Sequence, residues 1–141
     1  MSEEIDMEAV QAYAGSMVGH MVGAATVVCS ELAHKLGLYR HLAGSGGMTA
    51  EALAQAASTH PRLTRELLDQ QASAGVLTYD VDADTYELSD VGALVMAEQH
   101  SPAWLAGALQ AVRAMYMGLD QVEAAFRGDG AVPWGDHHPC L

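Results

Sequence analysis

Cations are scarce in this sequence: six lysines and arginines stand against 18 aspartates and glutamates, for a formal net charge of −12. Phosphate contacts dominate nucleic-acid affinity and require basic side chains. An anionic lipid surface needs them too, so the balance speaks against both partners. Cysteine is also scarce. Cys29 lies in an apolar run and Cys140 beside the C-terminus, a pair that reads as free thiols in a reducing cytoplasm with no disulfide framework. The opening "MSEEIDME" is acidic where a secretory signal is basic, so the expected location is cytoplasmic.

Charge of either sign is missing from residues 9–30, a stretch long enough to cross a bilayer. It also lacks Leu, Ile and Phe, and it contains Gln11, His20, Thr26 and the glycines 15, 19 and 23. Those polar groups and small residues disfavour insertion. The expectation is a helix buried in protein and no membrane partner.

Half of the 141 residues are apolar, enough for one domain with its own core. The apolar spacing and the punctuation marks give an order of elements. A long helix runs from about Asp6 to Leu36 and stops at Gly37. Gly15, Gly19 and Gly23 recur every fourth residue on it and form a ridge without side chains. Each weakens the helix by about 1 kcal/mol relative to alanine, so close approach of another backbone is the expected compensation, within the subunit or from a partner subunit.

"LGLYRHLAG" is a short helix, and Thr49 caps the next, residues 50–57. Pro61 opens a helix over residues 62–74 that buries Leu63, Leu67 and Leu68 and ends at Gly75. Two β-prone runs, Val76 to Tyr79 and Tyr86 to Leu88, flank "DVDADT" as a hairpin that pairs Tyr79 with Tyr86. Ser89 caps residues 90–98. Pro102 opens a long helical segment to Arg127 with a weak point at Gly118, and the tail "GDGAVPWGDHHPCL" is irregular. The class is mainly α: a winged helix with additional long helices. Residues 1–128 form the domain, and residues 129–141 form a tail or linker.

A winged helix commonly reads DNA, but this hairpin carries Asp80, Asp82, Asp84 and Glu87 and no cation. Arg62 and Arg65 on the preceding helix are offset by Glu66 and Asp69. A DNA-binding regulator is therefore the disfavoured alternative.

In order, "KLGLYRHLA", "MTAEALAQAASTHPRLTRELLDQQASAGVLTYD", "YELSDVGALVMAEQHSP" and "AFRGDGAVPW" resemble the N-terminal region of bacterial class I S-adenosylmethionine-dependent methyltransferases that carry a winged-helix dimerisation domain. The resemblance implies an intertwined homodimer whose helices help roof a substrate pocket, with S-adenosylmethionine bound by a following Rossmann-like domain. That domain would need a glycine-rich strand-to-helix turn. "GSGG" and "GDG" do not follow strands, so no cofactor is expected on this chain, and the chain alone is not expected to be active. The alternative is a stand-alone dimer that binds a small ligand or runs a cofactor-free reaction.

Met17 and Met21, one turn apart with His20 beside them, and Met115 with Tyr116 are the candidate wall of a pocket for a small apolar or aromatic molecule. Core filling is the competing reading of the methionines. A backbone-satisfied ring is the competing reading of His20. No catalytic residue is identifiable. "DHHPC", Asp136 to Cys140, groups ligand-type residues, but neighbours in an irregular tail do not close a four-ligand shell, so no metal is expected.

Overall fold

The computed structural model describes residues 5–128 and 130–139. Helix α1 (Met7–Lys35) begins at Asp6, whose carboxylate accepts hydrogen bonds from the Glu8 and Ala9 amides at 2.9 and 3.3 Å. It ends before Gly37, whose φ of 74° turns the chain into α2 (Leu38–Leu42). Thr49 caps α3 (Ala50–Ala57) through a 3.2 Å bond from the Ala52 amide. Pro61 opens α4 (Pro61–Ser73), where its missing N–H costs nothing.

The chain then turns at Gly75 into β1 (Thr78–Asp80), which pairs antiparallel with β2 (Thr85–Glu87). Met48 adds an isolated rung on the other side of β2 by exchanging backbone hydrogen bonds with Tyr86 at 2.9 and 2.8 Å. Ser89 caps α5 (Asp90–Met96), and a 3₁₀ turn at residues 106–108 leads to α6 (Gln110–Met117) and α7 (Leu119–Arg127).

Helices α3 and α4 form the helix-turn-helix, and the hairpin is its wing. The core gathers Leu38, Tyr39 and Leu42 from α2, Leu53 from α3, Leu68 from α4 and Tyr86 from the wing, all fully buried. Inside it lies a polar centre. Gln71 Oε1 accepts from both Ser30 Oγ (3.1 Å) and the Tyr39 hydroxyl, so α1, α2 and α4 are tied at one buried atom. Burial pushes the Tyr39 phenol up to about 12.

Four expectations are corrected. Leu63 is 52% exposed: the inward stripe of α4 is Thr64, Leu67, Leu68 and Gln71, which is the i, i+3, i+4, i+7 face, and Leu63 falls one step off it. The hairpin tip is residues 81–84, shorter than "DVDADT", because Asp80 pairs with Thr85. Pro102 does not start a long helix. Helix α6 starts only at Gln110, after the 3₁₀ turn at residues 106–108, where the Trp104 ring lies over Gly107 and an added Cβ would come within 2.3 Å of it.

The fourth correction concerns α1. Its apolar stretch is not buried in this chain: the most apolar 18-residue window has no buried residue, and the helix is long and apolar enough to cross a membrane. Among the described residues, nothing lies within 4 Å of a Cβ added at Gly15, Gly19 or Gly23. Packing inside the subunit therefore does not account for the glycine ridge.

Candidate functional site

The angle between α4 and the wing holds the densest polar cluster. Arg65 reaches out of α4 and places two nitrogens on the two carboxylate oxygens of Asp84, at 3.0 and 2.7 Å. Its second nitrogen also donates to the Tyr79 hydroxyl at 3.1 Å, and that hydroxyl donates to Asp84 at 2.7 Å. The Arg65 guanidinium lies 5.8 Å from the Tyr79 ring centroid and 5.9 Å from that of Tyr86. The two tyrosines are directly opposed across the strands, with ring centroids 4.8 Å apart. Tyr86 in turn donates to Asp69 of α4.

The hydrogen bonds from Arg65 and then Tyr79 hold the Asp84 carboxyl below the usual carboxylate range. Burial, followed by the hydrogen bond to Asp69, raises the Tyr86 phenol. Asp80 has a different task. Its carboxylate accepts the Asp82 and Ala83 amides at 2.9 and 3.0 Å and so closes the tip.

Both cations of α4 are thus spoken for, Arg65 by Asp84 and Arg62 by Glu66 one turn on. Two of the four wing carboxylates shape the hairpin, while Asp82 and Glu87 stay exposed. Both guanidiniums of the helix-turn-helix are thereby turned onto carboxylates of the same chain.

A second feature is apolar. Leu32 and Leu36, at the end of α1, and Leu63 and Leu67, of α4, line a groove of about 400 Å³ together with Ser58, Thr59, His60 and Thr64. Another groove, of about 430 Å³, lies between α7 and the tail, lined by Val122, Phe126, Val132 and His137. Helix α1 is braced against α6 by Glu31, itself buried, whose carboxylate lies 3.3 Å from Arg113.

Met17, His20 and Met21 are exposed on α1, and Met115 and Tyr116 are exposed on α6. None of the five lines either groove, and the methionines among them do not fill the core of the chain. The structure brings α1 and α6 side by side through Glu31 and Arg113 without gathering these side chains into a cavity. Sequence reasoning missed the Arg65–Asp84 clamp. The available signal was an arginine one turn before Asp69 on α4 and a tip carboxylate, Asp84, between two tyrosine-bearing strands.

The tail group is only partly visible. Cys140 lies outside the described residues, as does Asp129 of "GDG", and the His137 ring packs on Trp134 at 5.5 Å. Among the described residues, no three His, Cys, Asp or Glu side chains are grouped to hold a metal.

With this geometry in view, the model of the Rv2258c-like winged HTH domain matches residues 23–98. The chain belongs to that family. No curated protein matches it. The winged HTH domain and its flanking helices are similar to several solved methyltransferases. PigF with SAH superposes with a TM-score of 0.68 at 21% identity, over 82% of this chain and 33% of that one.

The mitomycin 7-O-methyltransferase MmcR superposes with a TM-score of 0.67 at 27% identity, over 86% of this chain and 36% of that one. Human N-acetylserotonin methyltransferase in complex with SAM gives 0.64 at 21% identity, over 90% and 36%. The chain spans about a third of the length of these solved relatives.

S-adenosylmethionine does not fit the described residues of this winged HTH domain. Its cradle is a glycine turn between a strand and a helix in a parallel sheet. Here the only described sheet is the antiparallel wing. Gly44 to Gly47 instead join α2 to the Met48 rung, and the space a Cβ would take at Gly47 is bounded by Thr85 at 3.2 Å.

Proposed function

We propose that this chain is the subunit-joining and substrate-walling region of an S-adenosylmethionine-dependent methyltransferase that acts on a small apolar or aromatic molecule. The cofactor belongs to a following domain, and two copies of the present chain associate. One observation carries the reading. At 27% identity to the mitomycin 7-O-methyltransferase over 86% of this chain, the match takes up only 36% of that enzyme.

Met115 and Tyr116 on α6 and His20 on α1 face the ligand once the facing surface is supplied, and Met17 and Met21 on α1 back that wall where the subunits meet. The methylation itself depends on aligning nucleophile, methyl carbon and sulfur, and this half contributes walls and closure. The clamped wing supports the same direction, because it removes the cations a regulator would use.

The test is a calorimetric titration of S-adenosylmethionine onto the polypeptide encoded by the whole reading frame, and onto this chain alone. Binding by the former and none by the latter is expected. A whole-frame product that does not bind the cofactor overturns the assignment in favour of a stand-alone ligand-binding dimer.

A further inference from the structure

The outer face of α1 carries an unbroken apolar line. Met7, Val10, Ala14, Met17, Met21, Ala25, Val28 and Leu32 follow one another at steps of three or four residues, and every one is exposed. In the C-terminal half of the helix this line is what remains outside. Ser30, Glu31 and Ala33 turn inward, while Val28 and Leu32 stay 51% and 48% exposed. An exposed apolar line at heptad-like spacing is the pattern of a helix that packs against another helix.

The order of sizes along the line is palindromic: Met, Val, Ala, Met, then Met, Ala, Val, Leu. Laid against itself head to tail, it pairs Met7 with Leu32, Val10 with Val28, Ala14 with Ala25, and Met17 with Met21. Large thus meets large and small meets small at every step, as an interface with two-fold symmetry requires. A parallel arrangement would place alanine on alanine as well, but it would also bring the acidic N-terminal ends together.

The charges select the same arrangement. Residues 9–30 are uncharged, Asp6 and Glu8 stand at one end, and His34 and Lys35 stand at the other. Asp6 and Lys35 lie on the same flank of the line by helical spacing, and like flanks meet in an antiparallel pair. The line also runs straight into the groove of Leu32, Leu36, Leu63 and Leu67, which then receives the N-terminal turn of the second copy.

We infer that two copies of this chain join through an antiparallel α1–α1 seam centred between Met17 and Met21, with the start of each α1 laid in the other's Leu32–Leu63 groove. This rests on the dimer reading above and deepens it. It assigns Met17 and Met21 to the subunit seam and leaves His20, Met115 and Tyr116 to face a ligand.

Light scattering of the wild-type chain and of Met21→Glu tests the seam, with helicity checked by circular dichroism. Met21 is exposed, so the variant folds. A dimeric wild type and a monomeric, helical variant are expected. Orientation is read by disulfide cross-linking in a Cys29→Ala/Cys140→Ser background. Co-expressed Ala14→Cys and Ala25→Cys chains should cross-link to each other, and neither should do so alone.

A dimeric wild type with a Met21→Glu variant that stays dimeric, or with self-linked Ala14→Cys chains, overturns the seam and leaves the dimer reading intact. A monomeric wild type overturns both. A wild type that instead floats with phosphatidylcholine vesicles assigns the apolar line to a lipid surface and likewise overturns the proposal.

Discussion

Arg65 and Asp84 meet across the angle between α4 and the wing, two nitrogens on two oxygens at 3.0 and 2.7 Å. Paired bonds of this kind fix orientation as well as distance. They join the second helix of the helix-turn-helix to the tip of its own hairpin. The pair is partly open to solvent, so its effect is on the order of the wing more than on global stability.

Asp84→Asn should therefore speed amide exchange in β1 and β2. The Asp84 pKa is lowered in the fold, so the carboxylate stabilises the folded form above the unfolded value of about 4, and the contribution disappears as pH falls below that. The exchange difference between wild type and variant should be constant above about pH 4 and shrink in stronger acid. A difference indifferent to acid would refute the clamp.

The same pair bears on nucleic acid. With Arg65 held by Asp84 and Arg62 by Glu66, a gel-shift assay at low salt with genomic fragments should show no retarded band. A salt-sensitive shift with one sequence would contradict the electrostatic argument.

At the centre of the core, the Tyr39 phenol is pushed up to about 12 by burial. A raised phenol keeps the fold stable below its ordinary value near 10, and that stability is lost as pH climbs toward 12. Tyr39→Phe should flatten this alkaline limb and cost about 1 kcal/mol at neutral pH by removing the bond to Gln71. Gln71→Leu should cost more, about 2 kcal/mol, since both Tyr39 and Ser30 lose their acceptor. Urea melts across pH read both, and equal losses in the two variants would contradict the shared-acceptor geometry.

Gly107 has no freedom to grow. A Cβ there would lie 2.3 Å from the Trp104 ring, so Gly107→Ala should cost about 1–3 kcal/mol as the ring is displaced. The loss should appear in tryptophan fluorescence as well as in the melt. An unchanged emission spectrum would mean the ring is not packed on this turn.

Gly19 is the opposite case, with nothing among the described residues within 4 Å of an added Cβ. Gly19→Ala should raise helicity and add about 1 kcal/mol to helix stability, with the molecular mass unchanged. A variant that loses its dimer would place the glycine ridge, and not the Met17–Met21 line, between subunits.

What could be read from the chain beforehand follows from the range of the forces involved. Caps and stops are local. Asp6, Thr49, Pro61, Gly37, Gly75 and Ser89 all act where their chemistry suggests, since each satisfies or frees backbone groups within a turn. The Tyr79–Tyr86 pair was legible because strand alternation fixes it.

Leu63 was misjudged because hydrophobicity does not reveal which face of α4 is inward. Gln71 holds that face because the buried Tyr39 and Ser30 need a polar partner, and Thr64 pairs its hydroxyl with that of Thr59. The Met48 rung and the Arg65–Asp84 pair join segments distant in sequence, and no local pattern encodes them. The five candidate wall residues were legible only as a type, exposed methionine and aromatic side chains on two adjacent helices.

The bareness of α1 has a practical outcome. Up to Gly23 the helix is exposed on every side, and three glycines loosen the same stretch. A helix held by its own backbone bonds alone is marginal in water. In a lone copy these first turns should fray and present an early cut site to a protease, well before the winged core yields. A second copy laid over that rod would shield it, so cleavage there should quicken as the protein is diluted.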